Sequence, residues 1–501
     1  MFDLRTLATA AVPVRGILAA LLLAGCAHHG QQHAHTPAFS PATAAQCREF
    51  LAAVDRLVDA EGVRDTEATR VPGFPYARAD RFLVSLRDTV DLHGAALDTW
   101  VDRLRNLDLR ARRHEISNLP ASAVNAAKHR LLGSVEHCGV VLSRADLADT
   151  QAVSKLFAAV RVAPDYQMWK RVLGLYPLTG LGVLLGVHNL RGEIRKTFAT
   201  PVDELAQFGR RRAYGPPPTA QMLSFNDIAQ LLSDSAAHPI GIPEPNEAQR
   251  RRLFDAFAPL WRVDVVSDDD RIGRPVWGEG SAPEIDVAEA HSYRRISHTW
   301  FGGEILLQLN YQIWFPARTV TGAFDMLGGH IDGIIWRVTL GTNGRPLIYD
   351  AMHNCGCYHM FFPTDNLRLK RRPWAFEEPL LVAAAAPPLT EGERIVIDVA
   401  NISHYLQHVD TVRDYLVDEH YVPANYDSLR ALPLPDAGTR SLFQPDGIVP
   451  GTQRGERWIL WPMGVRAPGA MRQWGHHATA FVGRRHFDDP YLFERYFEAV
   501  E

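Results

Sequence analysis

Between Gly329 and His359 the chain reads GHIDGIIWRVTLGTNGRPLIYDAMHNCGCYH. Three histidines, two cysteines and two aspartates fall in this one stretch. Imidazole and thiolate are the donors that zinc favours. The first chemistry suggested is therefore a zinc-like metal centre with His330, His353, Cys355, Cys357 and His359 as ligands. A metal-bound water, whose pKa can fall to about 7, would be the hydrolytic nucleophile. Glu304 and Asp332 are the carboxylates available to activate it. The spacing H-N-C-G-C-Y-H is not one of the strong zinc signatures, and three other readings stand beside the metal. Cys355 and Cys357 could run redox chemistry, since a bridge across Cys-Gly-Cys would be strained and labile. Either cysteine could form a structural disulfide to Cys47 or Cys138. The stretch could also be a buried sheet edge with satisfied histidines and free thiols.

What must position these groups is a β-hairpin. Residues 334–340 and 347–349 are rich in β-branched and aromatic side chains, and Asn343-Gly344 between them favours a two-residue type I′ turn. That turn makes paired positions sum to 687. Trp336 then faces Ala351, Val338 faces Tyr349 and Leu340 faces Leu347 on a core face. Arg337 falls opposite Asp350 as an opposite-charge pair. Extending the ladder puts Asp332 opposite Cys355 and His330 opposite Cys357, on the face of Trp336. Any bulge at the flanking glycines reverses this parity.

The N-terminus addresses the protein. Arg5 and Arg15 flank an apolar run over residues 16–24, which ends in Leu23-Ala24-Gly25-Cys26. This resembles the lipobox of bacterial lipoproteins. The resemblance implies a signal peptide over residues 1–25, acylation of Cys26 as the first mature residue, and a membrane anchor. Ala27 after the cysteine implies sorting to the outer membrane, with the body on the periplasmic side. Multiple acyl chains, palmitate among them, anchor stably where one would be marginal. Residues 26–43 contain the lipidated cysteine and a polar, His-rich tether without periodicity. An oxidising compartment follows, and with Cys26 used, Cys47 with Cys138 is the favoured disulfide.

The chain has 501 residues, 46% hydrophobic and 22% charged, with a formal net charge of −4. That is globular composition without the basic excess of a nucleic-acid binder. Residues 44–250 predict a mainly helical domain. Cys47, Phe50, Leu51, Val54, Leu57 and Val58 form a helical stripe, and further helices are expected near 79–86, 95–114, 121–137, 151–161, 166–175, 202–211, 226–232 and 247–257. Residues 173–187, LGLYPLTGLGVLLGV, carry no charge but are too short for a span of about 20 residues. They predict a buried, turn-rich connector, with a segment dipping into the bilayer near the lipid anchor as the alternative. From 260 to 501 the pattern is β-rich. Strands are expected at 263–266, 305–315, 380–384, 395–400 and 458–461, with helices at 403–416 and 491–500. The whole reads as α+β, a helical domain followed by a domain with a largely antiparallel sheet.

Arg294 and Arg295 could hold an anion, and residues 475–477 with 484–489 form a second cluster of His and acid. No H-E-x-x-H, G-x-S-x-G, S-x-x-K, Walker A or dinucleotide fingerprint occurs. Two functions follow. One is an outer-membrane lipoprotein whose C-terminal domain hydrolyses envelope material at a metal. The other is a non-enzymatic envelope scaffold or binding lipoprotein, with an envelope protein or polymer as partner and structural cysteines.

Overall fold

In the computed structural model, residues 43–124, 127–371 and 376–500 are described. Cys26, the signal segment and the expected tether up to residue 42 lie outside them. Helix α1 (Ala44–Ala60) opens with a capping box, Thr43 and Gln46 each accepting from the other's backbone N–H. Its buried residues are those of the predicted stripe. Helices α2 (Gly94–Asn118) and α3 (Lys128–Leu147) pack beside it. A disulfide joins Cys47 on α1 to Cys138 on α3, as favoured from the sequence, and closes a separation of 91 residues. Cys355 and Cys357 are free.

The β-rich part is built on a seven-stranded sheet. Its middle is an antiparallel meander of β1 (His291–Phe301), β2 (Glu304–Arg318), β3 (Gly329–Leu340), β4 (Pro346–His353) and β5 (Met360–Pro363). Short parallel strands, Leu381–Val382 and Val422–Asn425, finish its edges. On one face Leu307, Leu309, Tyr311, Ile313 and Phe315 pack with Trp336 and Val338 into the main core, as the alternation predicts. A five-stranded sheet with Leu260–Val265 at its centre supplies the facing layer. The α+β class is thus borne out.

The helical and β-rich parts share buried charge. Asp65 receives two hydrogen bonds from Arg430 at 2.8 and 2.9 Å, and Arg295 donates two to Glu67 at 2.7 and 3.0 Å. Arg78 donates to Glu115 and to Asp108 in the same region. Arg295, and Arg294 on Asp255 at 2.9 Å, are therefore committed to carboxylates of the chain itself. The described residues pack as one compact unit.

Several segments differ from the periodicity reading, among them 491–500, where a helix over Leu492–Tyr496 gives way to the strand Phe497–Ala499. Residues 202–211 hold no helix; the strand Arg210–Gly215 begins there and pairs with Leu260–Val265. The expected helix over 403–416 is replaced by the strand Leu406–Val412, zipped to Arg394–Val399. In both, a neighbouring strand satisfies the backbone that local spacing assigned to a helix. Residues 458–461 show the reverse, lying in the short helix α6 (Arg457–Leu460); four apolar residues do not discriminate the two periods. Residues 173–187 are no connector. They end α4 (Met168–Leu173) and form the first half of α5 (Tyr176–Ala199), much of it exposed.

Candidate functional site

The hairpin register is the predicted one, reached by a different route. Ile348↔Thr339 to His353↔Ile334 all sum to 687, with Arg337 opposite Asp350. Of the two central residues only Gly344 has positive φ, +75°. Gly341 N–H donates to Arg345 O and Gly344 N–H to Gly341 O, so the loop is a type I turn followed by a left-handed glycine. This turn sets Leu340 opposite Pro346, and a bulge between Pro346 and Ile348 restores the longer register. The bulge occupies the place where Leu347 was expected to face Leu340.

Beyond His353 the expected ladder stops. Gly333 leaves room for the Asn354 side chain, since a Cβ there would sit 2.3 Å from Asn354 Nδ2. The chain then turns through Gly356 (φ +91°) and Tyr358 (φ +56°) into β5. Cys355 therefore packs with Trp314, Ile335 and Met352, on the face of the sheet opposite Trp336. At the other strand Asp332 is paired across to Phe315 and His330 to Ala317 on β2. His330 Nε2 reaches Pro283 O at 2.6 Å.

The proposed ligands thus fall into separate groups. Asp332 lies between two histidines, with Oδ2 2.9 Å from His404 Nδ1 and Oδ1 3.4 Å from His353 Nδ1. His404 stacks on Phe315 and turns its Nε2 toward Asp270 Oδ1 at 3.4 Å, an ion-pair separation. His359 Nε2 meets Asp350 Oδ2 at 2.7 Å, and Asp350 also takes two bonds from Arg337. Cys355 and Cys357 neighbour each other, Cys357 N–H pointing at Cys355 Sγ. Among the described residues no group of three or more His, Cys, Asp or Glu is placed to hold a metal ion. Glu304 sits exposed at the Gly302-Gly303 turn. Eleven strand residues, about 36 Å at 3.3 Å each, separate it from Phe315, the partner of Asp332. The two carboxylates do not serve one centre.

Electrostatics follow burial and these pairings. Burial opposes the Asp332 carboxylate, yet His353 and His404 hold it well below the usual range. Burial lowers His353, and Asp332 offsets this only in part. Burial would lower His404 as well, but Asp270 and Asp332 outweigh it and raise it. Asp332 and His404 thus favour each other's charged form, while burial disfavours charge on His353. The hydrogen bond to Cys355, then burial, pushes the Cys357 thiol well up, which opposes a reactive thiolate.

Next to these groups lies a cavity of about 530 Å³. One wall is the inner face of α5, with Thr179, Gly182, Val183, Gly186, Val187 and Leu190. Ile459, Leu460, Pro462 and Met463 form a second wall, and Cys357, Tyr358 and His359 close the floor. The lining is mostly apolar. Its polar groups are unusual, because several are buried with no hydrogen-bond partner among the described residues. Arg191 Nε, Arg485 Nε, Thr479 Oγ1 and His359 Nδ1 are all in this state. Burial raises the two lining acids Glu378 and Glu456, and it lowers His359 to about 4 against the pull of Asp350. An apolar chamber with a few convergent polar groups is the usual form of a small-molecule site.

The second cluster, residues 475–477 and 484–489, runs behind the hairpin. Arg337 donates to Phe487 O at 2.7 Å and its guanidinium lies over the Phe487 ring. His476 Nδ1 meets Asp165 at 2.8 Å and Arg81 holds Asp488. The residues missed in sequence reading are His404, Asp270, Arg191 and Thr479; Arg485 falls within the second cluster. One signal was available: Gly182, Val183, Gly186, Val187 and Leu190 recur at helical spacing within a charge-free run. No family model matches the chain, and neither a curated protein nor a solved structure matches it.

Proposed function

We propose that the protein is a lipid-anchored envelope protein that binds one amphiphilic, acyl-chain-bearing molecule. The anchor rests on Leu23-Ala24-Gly25-Cys26, with Cys26 acylated and the body on the periplasmic face of the outer membrane. The observation that carries the binding reading is the cavity beneath α5. Its apolar walls suit a hydrocarbon chain, whose burial is worth about 0.8 kcal/mol per methylene. The unpartnered donors of Arg191, Arg485 and Thr479 suit a polar or anionic head, because pairing them relieves the cost of buried unsatisfied groups. This develops the binding-lipoprotein reading of the sequence. The metal-assisted hydrolytic reading is not carried forward, since His330, His353 and His359 point to three different partners.

Gly186 offers the test. It lines the chamber, and a Cβ there meets nothing within 4 Å. Gly186→Leu therefore fills space that a ligand would use, while replacing glycine by a better helix former. Titrated with a dansyl-labelled undecanoic acid below its aggregation concentration, the full chain is expected to bind one molecule saturably. Gly186→Leu should weaken this at least tenfold, about 1.4 kcal/mol. Equal binding by parent and variant, or no saturable binding, would refute the proposal.

A further inference from the structure

Among the described residues, the outer side of α5 has no partner. Its inner face covers the cavity, yet Leu178, Leu181 and Leu185 point outward and are more than half exposed. A helix that is apolar all round is normally covered all round. The patch continues onto neighbouring elements. Gly174, between α4 and α5, approaches Pro462 so closely that a Cβ would lie 2.4 Å from the proline ring. This brings α4 and α6 to the same ledge, adding Trp169 (60% exposed) and Trp458 (68% exposed).

The rim of the ledge is basic. The Lys170 ammonium lies 5.7 Å from the Trp169 ring and the Arg457 guanidinium 5.0 Å from the Trp458 ring. Arg484 is exposed and donates to Met168 on α4. Leucines with tryptophan, edged by lysine and arginine, are the composition of surfaces that lie in the membrane interface. If Cys26 is acylated, residues 27–43 keep the body within at most about 60 Å of the leaflet. Among the described residues no helix is long and apolar enough to cross a membrane, so contact here is with the surface.

We infer that α4, the first half of α5 and α6 form an interfacial docking surface for an anionic bilayer, through which the cavity exchanges its ligand. The exchange step rests on the acyl-binding reading; the docking itself does not. The test is hydrogen–deuterium exchange of the full chain carrying Cys26→Ser, with and without vesicles of phosphatidylethanolamine and phosphatidylglycerol. Vesicles should slow exchange at least fivefold in peptides covering residues 168–186 and 457–460. The triple variant Leu178→Asn/Leu181→Asn/Leu185→Asn should lose that protection while still binding the dansyl probe, as none of the three lines the cavity. Protection that is absent, that survives the triple variant, or that arises from protein concentration without vesicles overturns the inference. Protection of the ledge with no probe bound would uphold the docking and remove only the ligand reading.

Discussion

Arg337 and Asp350 illustrate how far a residue pair can be read from sequence. Their apposition follows from the hairpin register alone, and the ion pair is present with bonds of 2.9 and 2.6 Å. Its weight does not follow. An exposed cross-strand pair contributes roughly 0.2–1 kcal/mol, but Phe487 and Phe493 cover Arg337, and both partners are at most 1% exposed. Asp350 also takes His359, so removing its charge leaves two groups without their partner. Asp350→Asn should destabilise the protein by about 3–5 kcal/mol, read from the midpoint of urea unfolding. A loss under 1 kcal/mol would mean that water reaches the pair.

At the scale of elements, the turn at Gly344 ties the hairpin to the rest of the molecule. A Cβ on Gly344 would lie 2.1 Å from Phe225 O and 2.7 Å from Ala229 N, at the start of the helix Phe225–Ser235. The φ of +75° also disfavours a β-branched residue. Gly344→Val should cost more than about 2 kcal/mol through the clash and the strained backbone together. A variant that unfolds at the parent's denaturant concentration would disprove that contact. Asn-Gly was legible as a turn because its chemistry is local. The end of the ladder at His353 was not, because Gly333, Asn354 and Ile313 decide it across strands. The same holds for residues 403–416, whose spacing suits a helix until Arg394–Val399 offers a strand to pair with.

The whole molecule carries an acid sensitivity spread over distant sites. Burial holds His298 and His477 at about 3, and His359 and His486 at about 4, so all four are neutral in the folded state. Unfolded, each takes up a proton near pH 6.5. Their contribution is present above that pH and is lost as pH falls toward 4 and 3. His404 and His476 are raised and act with the opposite sign, adding stability below pH 6.5 that is lost as pH rises through their folded values. His114 and His353 are lowered as well, so six depressed histidines outweigh two raised ones and the urea midpoint should fall steadily from pH 6.5 to 4.5. A flat profile over that range would show that these histidines are hydrated.

Sequence alone determined the α+β class, the long strand β2, the stripe of α1, the Cys47–Cys138 bridge and the register opposite Arg337. Each depends on periodicity, turn chemistry or elimination among few cysteines, which act over short range or small numbers. Only the tertiary structure decided which donors meet. The cavity draws on residues near 179–191, 357–359, 378–381, 456–463 and 479–485, and no local pattern links segments so far apart. The proposed ligands failed to converge because the chain leaves the ladder after His353, turning through Gly356 and the left-handed Tyr358, while Asp332 and His330 stay in register with β2. Side-chain parity survives only while the strands stay regular.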